Sequence, residues 1–92
     1  MPIEQRVVTL SNTVPTEIVG GDNMPHEVTL HNMSKSSNNF VHLGNASMTL
    51  TDTLHMDPMD TLTLTLRPGD RLFAMSDPDG IEVGVLDIRK ND

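Results

Sequence analysis

Four histidines are the side chains in this sequence best suited to bind a metal ion or to move a proton near neutral pH. His31 and His42 flank a polar segment, residues 34–39, and would lie opposite each other if that segment closed a symmetric hairpin. Cross-strand neighbours lie about 4.5–5.5 Å apart at Cβ, close enough to share a metal ion. Transition-metal sites normally use three or four protein ligands, and no third ligand is evident. Two solvated surface histidines are the favoured interpretation, and His26 and His55 have no comparable partner.

Acidic residues near turns could bind calcium through their carboxylate oxygens. The candidates are Asp57, Asp60, Asp77 and Asp79. The pattern at residues 77–80, Asp-Pro-Asp-Gly, overlaps the beginning of a calcium loop, but the downstream glutamate and the flanking helices of that motif are missing. Because Pro, Asp and Gly also build tight turns, turns are favoured at residues 77–80 and 57–60.

The common catalytic motifs are missing from the sequence. The sequence has no G-x-S-x-G elbow, no H-E-x-x-H pair and no phosphate loop. It has no cysteine, which excludes disulfides, thiolate metal sites and a cysteine nucleophile. The pair Gly20-Gly21 indicates a turn. We therefore predict a protein that is not an enzyme, with no catalytic, cofactor-binding or metal-binding residues. A small hydrolase is the weaker hypothesis, and it would need an activity that His42→Ala abolishes.

Two further patterns are open to more than one interpretation. Met56 and Met59 flank a predicted turn, and they suit core filling and an adaptable contact surface equally well. Asn32 and Asn45 begin N-x-S sequences, which chance explains better than glycosylation.

The composition limits the possible partners. A formal net charge of −7 opposes contact with nucleic acid, because such binding depends on Lys and Arg neutralising phosphates. No apolar stretch approaches the ~20 residues that cross a bilayer. Apolar residues make up 36% of the chain and only two are aromatic, so the core should be thin and aliphatic. Such a core would gain stability from a partner that binds the folded state.

Apolar and polar residues alternate with a period of two, which is typical of half-buried β-strands. Residues 61–66 (TLTLTL) show the pattern best, and a turn at residues 67–70 (RPGD) followed by residues 71–75 predicts a hairpin. Other strand candidates span residues 6–10, 16–19, 26–33, 40–43 and 81–88. We predict an all-β fold: one domain, residues 1–92, that forms a small antiparallel β-sandwich or jelly-roll-like barrel of about seven or eight short strands. Residues 1–10 would be an N-terminal arm or an edge strand.

Several segments together resemble small β-sandwich capsid-associated proteins of tailed bacteriophages, often decoration or cement proteins. These segments are residues 14–19 (VPTEIV), 27–32 (EVTLHN), 41–44 (VHLG) and 66–74 (LRPGDRLFA). The likeness extends from about Val14 to Leu86. This sequence differs from those proteins at His42, where they often have an aromatic residue, and in the loop at residues 44–54, which is short.

The resemblance implies a virion structural protein on the capsid exterior, which binds the major capsid protein and stabilises the assembled shell. It also implies a homo-oligomer, with a homotrimer preferred. The net charge and the lack of a long apolar stretch predict no nucleic-acid or membrane partner. The segment with Ile3, Val7 and Val8 could add a strand to a neighbour's sheet. The alternative is a glycan-binding β-sandwich module of a phage tail or fibre, although the aromatic platforms usual in glycan sites are nearly absent.

Overall fold

The alternating pattern produces strands along the whole described chain. The computed structural model describes residues 3–20, 22–51 and 54–90. Within these ranges all of the regular secondary structure consists of β-strands. The strands are β1 (Ile3–Thr9), β2 (Thr16–Gly20), β3 (His26–Asn32), β4 (Phe40–Gly44), β5 (Leu54–Met56), β6 (Thr61–Leu66), β7 (Arg71–Asp77) and β8 (Glu82–Arg89). In the part of the chain that the structure describes, no helix is long and apolar enough to span a bilayer.

The strands form two antiparallel four-stranded sheets. The β1 sheet has the order β1-β8-β3-β6 and the β2 sheet has the order β2-β7-β4-β5. Among the described strands, only β4 and β5 follow each other within one sheet, and every other pair of successive strands crosses between sheets. This is the strand order of an eight-stranded jelly roll. The predicted all-β sandwich or jelly-roll class is confirmed.

The two sheets enclose a single aliphatic core. Val28, Leu30, Val41, Ala74 and Val83 have no exposed surface. Both phenylalanines are only half-buried and lie outside the core cluster. The core therefore depends on the burial of Val, Leu, Ile and Met side chains, each of which contributes roughly 1.5–3 kcal/mol when fully buried.

The predicted hairpin of residues 61–75 is wrong, although its turn is confirmed. The Asp70 amide donates to the Arg67 carbonyl at 3.0 Å, and Gly69 has a φ of +87°. However, β6 pairs with β3 in one sheet, whereas β7 pairs with β2 and β4 in the other. Alternation determines which side chains face the core, and it leaves open whether two successive strands pair or face each other across the core.

One further strand prediction is wrong, one strand was missed, and one strand begins earlier than predicted. Residues 34–39 do not close a hairpin, because β3 and β4 belong to different sheets. Strand β5 was not predicted, since its three residues are too short for a recognisable alternation. Strand β1 begins at Ile3 and is an edge strand that pairs with β8 along its full length. Residues 1 and 2 of the proposed arm lie outside the described residues.

Gly20 allows two loops to approach each other at the end of β2. Its φ is +122°, and a Cβ atom added there would lie 2.1 Å from the Asp70 carbonyl oxygen. The Gly69 amide, in the same turn as Asp70, donates to the Asp22 carbonyl at 2.8 Å. Gly20 itself is the last residue of β2, and the absence of a side chain there is a steric requirement of this close approach. Gly21 lies outside the described residues.

We expect Gly20→Ala to lower the free energy of unfolding by about 3 kcal/mol or more, because a steric overlap is added to the positive φ. Gly69→Ala is the matched control: its φ is also positive, but its Cβ would meet nothing within 4 Å. The control should cost about 1–2 kcal/mol, the ordinary cost of a left-handed residue. Urea unfolding of both variants measures the difference, and equal losses would contradict the steric explanation.

Candidate functional site

The outer face of the β1 sheet carries an apolar hollow on strands β1, β8 and β3. Gly84 lies in the middle, with Val7 beside it on β1 and His31 beside it on β3. In the next row, Leu86 lies between Gln5 and Thr29. Because Gly84 has no side chain, the row that contains it sinks between its neighbours and leaves a depression of about 430 Å³.

The rim of this apolar hollow carries apolar side chains that are open to solvent, next to the polar side chains of Gln5, Thr29 and His31. The Met33 side chain reaches over Gly84, with its Sδ 3.6 Å from the position that a Cβ would take. Val7 is 54% exposed, Met33 42% and Leu86 38%, and Ile3 extends the same face at 63%. A cluster of exposed apolar side chains on one face is characteristic of a contact surface, whereas single exposed residues are ordinary.

A second feature, the polar pocket, lies at the end of the sandwich where β1, β2, β3 and β8 meet. It encloses about 350 Å³ and is lined mainly by charged residues: Glu4, Arg6, Glu17, Asp22, His26, Asp87 and Arg89. At its base, His26 and Asp87 are each only 4% exposed. The His26 Nδ1 atom lies 2.7 Å from an Asp87 oxygen, and its Nε2 atom lies 2.8 Å from an Asp22 oxygen.

Arg6 provides a second positive charge near Asp87. Its Nη2 atom donates a hydrogen bond to the Ile18 carbonyl and lies 4.0 Å from an Asp87 oxygen. Its Nη1 atom lies 3.3 Å from Glu4. The buried Nε of Arg89 has no hydrogen-bond partner within the described part of the chain. The pocket beside it is large enough for water or a small polar molecule.

The electrostatics of the polar pocket favour a protonated imidazole. Burial is the largest effect on the pKa of His26 and lowers it, but the hydrogen bonds to Asp87 and Asp22 together outweigh burial, and the pKa lies above 6.5. The hydrogen bond from His26 and the Met24 amide lower the pKa of Asp22 below 3.8. With both ring nitrogens donating to carboxylates, His26 has no free lone pair and is poorly placed to act as a general base.

The structure places His31 and His42 in different sheets, so they do not form a pair, and the favoured interpretation of two solvated histidines is wrong for His42, which is buried. His31 lies on the outer face of the β1 sheet and shares a 2.9 Å hydrogen bond with Thr61. His42 lies in the other sheet opposite His55, with a distance of 5.7 Å between ring centroids. Burial first, and then the charge of His55, lower the pKa of His42, while Asp77 raises it. Within residues 3–20, 22–51 and 54–90, no group of three His, Cys, Asp or Glu residues could hold a metal ion.

Two of the four acidic residues considered as calcium ligands, Asp60 and Asp79, use their carboxylates to accept hydrogen bonds from backbone amides. The Asp60 carboxylate accepts from the Asp57 amide at 3.0 Å, and the Asp79 carboxylate accepts from the Asn12 amide at 3.0 Å. Asp77 ends β7 and is exposed. These contacts confirm the turn at residues 57–60 and tie the loop after β1 to the turn after β7.

Burial also distinguishes the interpretations of the two methionines and the two asparagines. Met56 is a core residue, 3% exposed, whereas Met59 at the turn is 49% exposed. Asn32 is completely buried, which agrees with a chance N-x-S match, and Asn45 is exposed in a turn.

Sequence reasoning missed both features of this site, although signals for both were present. Asp87 follows Val83 and Val85 at every second position of β8, and His26 precedes Val28 in β3 with the same spacing. A charged residue in register with a core face indicates a buried polar partner. Gly84 in the interior of a strand likewise indicates a local depression or a close approach.

Comparisons with known proteins give little beyond these observations. No family model and no curated protein matches the chain. The chain is similar to a solved structure reported in work on Bacillus endospore appendages, which form a family of disulfide-linked pili. The TM-score is 0.48 at 13% identity, and the match covers 97% of this chain and 89% of that chain.

We expect the free energy of unfolding to be highest near pH 6.5, because the two buried histidines act in opposite directions. The raised pKa of His26 gives stability that is complete below 6.5 and is lost as the pH rises through the folded-state value. The lowered pKa of His42 gives stability that is complete above 6.5 and is lost as the pH falls through its folded-state value. Urea unfolding between pH 5 and 9 measures this profile.

Two variants separate the contributions. His26→Gln should flatten the alkaline side of the profile and leave the acidic side, and His42→Gln should do the reverse. An NMR titration of the His26 ring gives its pKa directly, without relying on either variant. A value below 6.5 would show that burial outweighs the two carboxylates, and would contradict the account of the polar pocket.

Proposed function

We propose that this chain is a capsid decoration protein, a virion structural protein that binds the assembled major capsid protein through the outer face of the β1 sheet. The observation that carries the proposal is the apolar hollow, with Val7, Met33 and Leu86 on its rim. The resemblance of the strand and turn segments to phage capsid-associated proteins supplies the identity of the partner. Jelly rolls occur among viral capsid domains, which is compatible with this role but does not establish it.

Binding at this face would draw its free energy from apolar burial. Val7, Met33 and Leu86 are each between about one-third and just over one-half exposed in the isolated chain. Covering the remaining apolar area stabilises the complex by roughly 25 cal/mol per Å². Because the folded chain alone presents this surface, the partner also stabilises the fold by mass action.

The charge of the chain supports a location on the capsid exterior. The net charge of −7 opposes contact with packaged nucleic acid. The middle of the hollow has no acidic side chain, and Glu27 and Glu82 lie at its margins, on the same outer face. In this proposal the chain acts by interfacial burial and has no catalytic role.

We expect Leu86→Asp to weaken binding to empty capsids by about ten-fold or more, because a loss of about 1.4 kcal/mol at the interface corresponds to a factor of ten in affinity. Val14→Asp is the matched control: Val14 is 60% exposed but lies in the connection between β1 and β2, away from the hollow. Both variants and the unmodified chain are co-sedimented with empty capsids from the source of the gene. Circular dichroism checks that each variant is folded.

Equal binding by Leu86→Asp and the unmodified chain would exclude the hollow as the docking surface. No binding by the unmodified chain, or a source that produces no capsids, would contradict the decoration role itself. The two failures are distinguishable, because the first leaves capsid binding intact and moves it to another surface.

Glycan recognition is the second candidate and is favoured by the polar pocket. Its volume of about 350 Å³ falls within the range of small-ligand sites, and its lining offers charged groups that bind hydroxyls. However, its lining contains no aromatic side chain on which a sugar ring could stack. Most of its carboxylates already have partners within the chain, which leaves few groups free for a ligand. The decoration role therefore has the stronger support.

A further inference from the structure

Strand β6 forms one edge of the β1 sheet and pairs only with β3. Its six residues, Thr61–Leu66, include no charged residue and no proline. All six pair with β3 in one continuous register without a bulge. A regular and uncharged edge of this length exposes a row of backbone groups that can pair with another strand.

The other three edge strands have features that block such pairing. Strand β1 carries the charged residues Glu4 and Arg6. Strand β2 has a register shift after Glu17, and β5 is only three residues long. Within the described part of the chain, β6 is therefore the edge strand that lacks a feature blocking pairing with another strand.

Hydrogen bonds at the end of β3 identify the outward-facing backbone groups of β6. The Asn32 amide donates to the Asp60 carbonyl at 3.0 Å, which extends the register between β3 and β6 by one pair. Antiparallel strands bond at every second residue, so the even-numbered residues of β6 bond with β3. The amide and carbonyl groups of Thr61, Thr63 and Thr65 therefore point toward the open edge.

We propose that β6 pairs antiparallel with β6 of a second copy of this chain, across a two-fold axis at Thr63. In this register Thr63 lies opposite Thr63 of the second copy, and Thr61 lies opposite Thr65. All of the outward amides and carbonyls of both strands are then hydrogen-bonded. The two β1 sheets become one continuous eight-stranded sheet.

The side chains of β6 are complementary to themselves in this register. Directly opposed residues share a face, so threonines meet threonines on the outer face, and Leu62 meets Leu64 of the second copy on the inner face. Leu62 and Leu64 pack against the core but remain only partly buried in the single chain. The second copy would cover part of the apolar surface that is still exposed.

The ends of β6 also favour an antiparallel copy. The strand begins directly after Asp60 and ends directly before Arg67. An antiparallel arrangement brings Asp60 of one copy close to Arg67 of the other, whereas a parallel one would bring like charges together. A register shifted by one residue would place threonines opposite leucines, and one shifted by two would leave outward backbone groups of the strands unpaired.

This arrangement closes on itself as a dimer, because the same surface is used on both copies. It therefore differs from the homotrimer that the family resemblance implies. The net charge of −7 on each copy opposes association. Screening of that repulsion should strengthen the dimer as salt is raised.

The first test measures oligomeric state by light scattering of the full chain over a range of concentrations and salt. We expect a monomer–dimer equilibrium that shifts toward dimer in salt. Thr63→Pro should weaken the dimer by about ten-fold or more, because proline removes an outward amide that the monomer does not use. A chain that stays monomeric at high concentration, or that forms trimers, would overturn the proposal.

The second test uses single cysteines, since the natural chain has none. Under mild oxidation, Thr63→Cys should form a disulfide-linked dimer, because residues paired across a two-fold axis have Cα atoms within disulfide range, about 5.5 Å. Thr61→Cys and Thr65→Cys should each fail alone and cross-link when mixed. Equal cross-linking by all three variants would indicate random collision, and would contradict this register even if a dimer forms.

Discussion

The side-chain amide of Asn32 joins three segments that pass between the two sheets. It is completely buried, and its nitrogen lies 3.1–3.3 Å from the carbonyl oxygens of Asn39, Met56 and Asp57. Its oxygen accepts from the Ser34 amide at 3.0 Å. A buried amide is costly unless it is hydrogen-bonded, so these contacts tie the end of β3 to the chain entering β4 and to the turn between β5 and β6. These contacts hold two of the crossings between the sheets, from β3 to β4 and from β5 to β6.

The other end of β3 is held by the polar contacts of His26. Strand β3 therefore begins and ends with a buried polar residue, with Val28 and Leu30 between them in the core. With these even-numbered positions facing inward, Thr29 and His31 must face outward next to β8. The apolar hollow is thus a consequence of how β3 is oriented. The proposed docking face therefore depends on His26 and Asn32, the buried polar residues at the two ends of β3.

The sequence predicts the class of fold more fully than its connections. The alternation in residues 61–66 identifies β6 and its inward leucines, and Pro-Gly and Asp-Pro patterns identify turns that the structure contains. The predicted pairing of strands was wrong, because alternation with a period of two specifies the face on which a side chain lies and not which strand lies beside it. His26 and Asp87 are 61 residues apart, so their contact follows only from the topology. The hollow likewise needs β1, β8 and β3 to be adjacent, which no local pattern specifies.

Methionine oxidation shows whether a partner covers the outer face of the β1 sheet. Met33 is 42% exposed at the hollow, and Met59 is 49% exposed at the turn between β5 and β6. Both are oxidised with dilute peroxide in the free chain and in the chain bound to empty capsids, and the rates are followed by mass spectrometry. Capsid binding should slow oxidation of Met33 several-fold and leave the oxidation rate of Met59 unchanged. An unchanged rate at Met33 in the bound chain would rule out the proposed docking face.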